Sequence, residues 1–182
     1  MPKIYLVRHG KAAAGFDGHP DPGLDDLGRA QAAATARVLA PLGPLALLSS
    51  PLARARETAE PLAQHWGCPV AIEPRLAEIP SPTTDLAARA AWLRAAMQGR
   101  WGELDAELLA WRHDIGRCLL AIEQDTVITS HYVAINAAVG LATDDDRMVI
   151  FAPDNGSVTV FDNGGGRLSV ITLGATADTF VN

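Results

Sequence analysis

Three short apolar runs in this 182-residue chain each end on side chains able to carry chemistry. Ile4-Tyr5-Leu6-Val7 stops at Arg8-His9. The run 45–48 closes on Ser49-Ser50, with Arg54 and Arg56 just beyond, and the β-branched stretch 126–129 ends at Ser130-His131. Imidazoles move protons or attack electrophiles, and guanidinium forks hold anions. In open α/β sheets ligands bind outside the carboxyl ends of the strands, often where helix N-termini begin. If the three runs are parallel strands, two histidines and at least one arginine meet at one sheet edge. The placement alone names no reaction.

The elements around these residues read clearly. A continuous apolar run such as 4–7 is the pattern of a strand buried on both faces. The Gly-, Pro- and Asp-rich stretch 10–23 predicts a loop. Asp25 or Asp26 then caps a helix to about residue 40, where Pro41 and Gly43-Pro44 stop it. Ser50-Pro51 reads as a helix start, serine as cap and proline in the first turn. Leu52, Ala55, Ala59, Leu62, Ala63 and Trp66 continue it as an apolar stripe. A short strand over 69–72 and a proline-broken connection over 73–82 follow, the latter containing Leu76-Ala77-Glu78. Helices are expected near 85–97 and 103–122, and a small-residue helix beyond His131. Asn163-Gly164-Gly165-Gly166 between runs 157–161 and 168–173 marks a hairpin. Strands alternating with helices, then a hairpin, predict an α/β fold: a three-layer α/β/α sandwich on a mixed, mainly parallel sheet. One domain over 1–182 is expected, with a helical lid or insert around 79–111.

Composition narrows the function classes. Hydrophobic residues at 48 % and charged residues at 20 % suit an ordinary globular protein rather than a disordered or fibrous one. Fifteen Lys and Arg against twenty-one Asp and Glu leave a formal charge of −6, the wrong balance for a nucleic-acid binder. Cys68 and Cys118 stand far apart, too few for a disulfide framework and wrongly spaced for zinc. No stretch approaches the roughly 18 apolar residues of a membrane span. The run 4–7 is also too short for the core of a secretion signal. A cytoplasmic protein with no membrane partner is the expectation.

Several segments together resemble the landmarks of the histidine phosphatase superfamily, the phosphoglycerate mutase-like fold. Leu6-Val7-Arg8-His9-Gly10 is similar to its opening motif, and Leu27-Gly28-Arg29-Ala30-Gln31-Ala32 to its first helix. Ser49-Ser50-Pro51-Leu52-Ala53-Arg54-Ala55-Arg56-Glu57-Thr58-Ala59 resembles the family's S-x-L-x-R-A-x-x-T-A segment. Leu76-Ala77-Glu78 resembles the L-x-E that carries the proton donor, Thr129-Ser130-His131 the second-histidine motif, and Asn155-Gly156-Ser157-Val158-Thr159 a late strand. The order is the family's, from residue 4 to about 173, loosest between 79 and 124. Lys11-Ala12 after Gly10 looks like the small bacterial-type branch that includes protein-phosphohistidine phosphatases. That branch typically lacks the donor glutamate that Glu78 would supply. Gly15-Phe16 stands where many members have Trp-Asn, Ile79-Pro80-Ser81-Pro82 follows the donor, and Tyr132 replaces a common glycine.

The resemblance implies a metal-independent phosphomonoester hydrolase needing no cofactor. His9 would be the nucleophile, Glu78 the proton donor and His131 a donor to the transferring phosphoryl, with Arg8 and Arg54 binding phosphate. Helix periodicity leaves Arg54 and Arg56 open; the motif selects Arg54. Lys11, Arg56 and Tyr132 are candidates for the substrate rim. The expected partner is a small phosphorylated metabolite or a phosphohistidine protein. Three other readings are weighed beside this one. A phosphomutase would need a second anion pocket, for which Lys11, Arg89, Arg94 and Arg100 are the candidates. A phosphate-binding pseudoenzyme of the same fold would keep the landmarks without turnover. A metal site would draw on Asp17, His19, Asp21, Asp25 and Asp26, but no HExxH and no Cys/His cluster supports it.

Overall fold

Alternation along β1 (Lys3–Arg8) sends Ile4 and Leu6 to one side of a sheet and Val7 to the other. The computed structural model, which describes residues 1–15 and 17–177, builds the whole molecule on that division. Six strands run in the order β3-β2-β4-β1-β5-β6. Strands β1, β2 (Ala46–Ser49), β3 (Ala71–Ile72) and β4 (Thr126–Ser130) are mutually parallel, with Leu6 opposite Ile128. β5 (Val158–Gly164) and β6 (Arg167–Thr172) add an antiparallel hairpin beside β1. Its turn glycines Gly165 and Gly166 have φ of 65° and 74°, the pair of positive values a tight primed turn requires.

Helices α1 (Asp26–Leu39) and α2 (Ala53–Trp66) cover the Val7 and Val127 side with Ala36, Leu39, Ala59 and Leu62. The opposite layer is α3 (Leu86–Ala96), α4 (Ala106–Leu120) and α5 (Tyr132–Thr143), packed on Ile4, Leu6 and Ile128. α5 is buried nearly all round, and its alanines let it lie close under the sheet. The α/β sandwich with a mixed, mainly parallel sheet is as expected.

The strand expected over 69–72 is shorter, Ala71–Ile72, and the starts of α2 and α4 also differ. α2 begins at Ala53, with Leu52 as N-cap and no side-chain cap, so Ser50 does not cap it. The proline at residue 51 favours extended backbone before it, and the oxygen of Ser50 is used elsewhere. α4 starts at Ala106 behind the Asp105 cap, because residues 101–103 form a separate 3₁₀ turn around the buried Trp101.

One buried amide on α5 supports the segment that leads to β5. Asn136 accepts from the backbone N–H groups of Ile150 (2.8 Å) and Phe151 (3.2 Å) and donates to Tyr132 O. Asn136→Ala strands two backbone donors and is expected to cost about 2 kcal/mol. A lowered urea midpoint with unchanged slope would show it; an unchanged midpoint would mean that water replaces the amide.

Candidate active site

Arg8 is the last residue of β1 and is 1 % exposed. Its Nη1 donates to Pro153 O at 2.8 Å, and its guanidinium lies 5.1 Å over the Tyr132 ring. Nε and Nη2 are buried without a partner among the described residues. Those two nitrogens form one edge of the guanidinium fork, the edge that meets two oxygens of one anion in parallel.

His9 follows, its backbone N–H bonded to Ser130 O. Its Nδ1 lies 2.7 Å from Gly10 O, and a carbonyl only accepts, so Nδ1 carries the proton. Nε2 is left with its lone pair, toward which Arg54 Nε donates at 3.2 Å. The loop before β5 and helix α2 clamp this backbone. Asn155 Nδ2 donates to His9 O, and Gly156 N–H to Arg8 O. Thr58 Oγ1 accepts from Gly10 N–H and donates to Arg54 O, tying the turn to α2. Gly10 sits so close to α1 that a Cβ there would come 2.4 Å from Gly28 O; only glycine fits.

Two residues apart on a helix means about 200° of rotation, so only one of Arg54 and Arg56 can face the sheet. It is Arg54, 3 % exposed; Arg56 is exposed and bonds Pro51 O on the outer side of the first turn. His131 directly follows β4 and is the N-cap residue of α5. Its ring centroid is 5.2 Å from that of His9. Nε2 lies 2.7 Å from Ser50 Oγ, while Nδ1 is buried without a partner among the described residues.

Glu78 enters from the connection before α3, which Ser130 Oγ pins by donating to Leu76 O. Its Oε1 accepts from Ile79 and Ala134 N–H, and its Oε2 from Val133 N–H. The carboxyl thus sits on the N-terminus of α5, the helix that His131 begins. Oε1 has both lone pairs occupied and Oε2 has one left.

Burial is the largest electrostatic influence throughout. It holds both His9 and His131 well below the usual imidazole range, and the Arg54 charge pushes each further down. Burial raises the Glu78 carboxyl, against the pull of its three backbone donors and of Arg54. The neutral imidazoles and a protonation-prone carboxyl therefore sit between two guanidiniums.

The structure brings Arg8, His9, Arg54, Glu78 and His131 together and separates the rim candidates. Tyr132 is buried beneath Arg8 and is not on a rim, because the first turn of α5 packs inward. Lys11 is ion-paired with Asp25 at the start of α1. The opening above Arg54 is lined by Ala12, Ala14, Gly15, His19, Pro22 and Arg89; Arg94 and Arg100 do not line it. Phe16 lies outside the described residues. Asp25 caps α1 and Asp21 accepts from Ala53 N–H, so these carboxylates have separate tasks. Among the described residues, no three His, Cys, Asp or Glu stand close enough to hold a metal ion. Likewise, no described helix is long and apolar enough to cross a membrane.

Ser50, Thr58 and Asn155 were legible as polar letters inside recognised segments. Their work on His131, Gly10 and His9 depends on tertiary contacts. Thr58 alone left a trace, a hydroxyl on the buried face of α2.

Known proteins share the family pattern and the fold of this chain. A family model described as histidine phosphatase superfamily (branch 1) matches residues 4–176. A glucosyl-3-phosphoglycerate phosphatase from Mycolicibacterium vanbaalenii is 44 % identical over 80 residues, 42 % of this chain and 36 % of that protein. A probable phosphoglycerate mutase GpmB from Erwinia tasmaniensis is 39 % identical over 83 residues, 43 % of this chain and 39 % of that one. These alignments thus span under two-fifths of the curated relatives' length. Phosphoserine phosphatase from Entamoeba histolytica, solved with 3-phosphoglyceric acid, superposes with a TM-score of 0.76 at 21 % identity, covering 97 % of this chain and 98 % of that one. Mycobacterial glucosyl-3-phosphoglycerate phosphatase complexed with VO3 gives 0.75 at 23 %, covering 97 % and 100 %. The two structures share the fold. The family match runs from the first residue of the apolar run in β1 almost to the end of the described chain, and by it the chain belongs to the histidine phosphatase superfamily, branch 1.

Proposed function

We propose that this protein is a metal-independent phosphatase that hydrolyses phosphomonoesters through a phosphohistidine on His9. The observation that carries the reading is the set of buried donors around a neutral nucleophile. Arg8 Nε and Nη2 and His131 Nδ1 have no partner among the described residues, and His9 Nε2 keeps its lone pair. A phosphate dianion supplies what all of them lack. It gives each donor an oxygen and brings phosphorus to Nε2, with the charge the two arginines require.

Phosphate entry must take over the Arg54 Nε–H that now points at His9 Nε2. Arg54 then bonds a phosphoryl oxygen and frees the lone pair for attack. The N–P bond forms as the P–O ester bond breaks, and the leaving oxygen takes its proton from Glu78 Oε2. Water next attacks the phosphohistidine. The Glu78 carboxylate accepts its proton, and His9 leaves as the neutral imidazole that burial favours. Two guanidiniums provide the positive charge that a metal supplies in other phosphatases.

The substrate class we favour is a small phosphorylated metabolite, as the names of the relatives suggest. Residues 79–111, which carry α3 and Arg89 at the opening, would act as the lid that selects it. The thiols of Cys68 and Cys118 suit a reducing cytoplasm. A mutase is the second reading, favoured by the identity with a probable phosphoglycerate mutase. A panel of phosphomonoesters, a phosphohistidine protein and a chromogenic ester tests the proposal. Hydrolysis unchanged by EDTA is expected, and a requirement for an added divalent ion would overturn it. Phosphoryl transfer to monophosphoglycerate, dependent on bisphosphoglycerate, would select the mutase instead.

A further inference from the structure

We infer that Ser50 is a positioning residue that sets the tautomer of His131 and so aims a hydrogen-bond donor at the transferring phosphoryl; this rests on the phosphatase reading above. Ser50 is fully buried just after β2, and among the described residues its Oγ has two neighbours in hydrogen-bond reach. Leu52 N–H can only donate, at 3.2 Å. The hydroxyl proton therefore has one acceptor to go to, His131 Nε2 at 2.7 Å. The reverse polarity, with Nε2–H donating, would leave the serine proton without an acceptor in a place water does not reach. Such a stranded polar group is costly.

The arrangement yields a single protonation state. Burial and the neighbouring arginines keep the His131 ring neutral, so it carries one proton. With Nε2 accepting from Ser50, that proton is on Nδ1, the atom buried beside His9 with no partner among the described residues. The ring can then give a hydrogen bond to a phosphoryl oxygen with no proton transfer of its own. The other tautomer would present a lone pair to a dianion and repel it. Ser50 touches no reacting atom; it acts through His131, as the outer partner of an oriented imidazole commonly does.

Nitrogen-15 spectra of histidine-labelled protein read this directly. His131, identified by the signals missing in His131→Ala, should show a protonated Nδ1 and an unprotonated Nε2. In Ser50→Ala the two shifts should move toward each other as both tautomers populate. A wild-type ring protonated on Nε2, or unchanged shifts in the variant, would overturn the inference whatever the enzymatic activity. Ser50→Ala should also lower kcat about 10-fold, short of the roughly 10²- to 10³-fold that loss of a whole donor brings. In the His131→Ala background the same change should cost almost nothing, since its effect passes through the ring. Additive losses would mean that Ser50 acts independently of His131. Failure of the phosphatase reading would appear separately, as no turnover in the wild type with the tautomer intact.

Discussion

His9→Ala is expected to abolish turnover of every phosphomonoester and to end labelling of the protein by phosphate from substrate. The reason lies in how much converges on one atom. The Gly10 carbonyl fixes the proton on Nδ1, burial and two arginines keep the ring neutral, and no other imidazole has a lone pair so placed. His131, 5.2 Å away, offers its Nε2 to Ser50 instead. Losing a nucleophile embedded in an otherwise intact site lowers kcat by on the order of 10⁴-fold or more. Rapid-quench labelling should give an acid-labile, base-stable adduct in the wild type and none in the variant. An adduct that persists in His9→Ala, or full activity there, would eliminate the phosphohistidine route.

Glu78→Gln is the second large effect, and its size should depend on the leaving group. General acid catalysis is worth roughly 10² to 10⁴ in rate. Alkyl phosphates, whose departing oxygen needs a proton, should lose that much. A nitrophenyl ester should lose far less in the step that expels it. The hydrogen bonds add a second consequence. Glutamine can keep the two bonds at Oε1, but its amide nitrogen would then face Val133 N–H, so the start of α5 loses one acceptor. Some loss of thermal stability should accompany the rate effect and be the same for both substrates. Equal losses of rate on both esters would mean that Glu78 only caps α5.

The pH dependence carries the same signature. The His9 pKa is lowered, so the nucleophile stays neutral to well below pH 6.5 and the acid limb of kcat/KM falls there. The Glu78 pKa is raised, so the donor keeps its proton above the ordinary carboxyl range, and the rate declines as pH rises through that value. Glu78→Gln should remove the alkaline limb for alkyl phosphates and leave the acid limb in place. A limb that survives in the variant would belong to another group.

Sequence alone determined the fold class and which residues stand at the strand ends. Both follow from local rules: apolar runs bounded by Gly and Pro, and helical stripes such as the one through Ala55, Ala59 and Leu62. The family landmarks then named Arg8, His9, Arg54, Glu78 and His131 in their order. What only the tertiary structure decided was direction and hydrogen-bond polarity. Helical spacing left Arg54 and Arg56 equal until α2 packed on the sheet and 200° of rotation separated them. A serine before a proline reads locally as a helix cap. In the folded chain, parallel pairing of β2 with β4 brings Ser50 beside His131. Tyr132 looked like a surface position beside the site and became the floor under Arg8, because α5 is buried nearly all round. Glu78 took on a second task, capping α5, that no three-residue match could contain. These outcomes rest on contacts between residues dozens of positions apart, which a pattern read over a few residues does not reach.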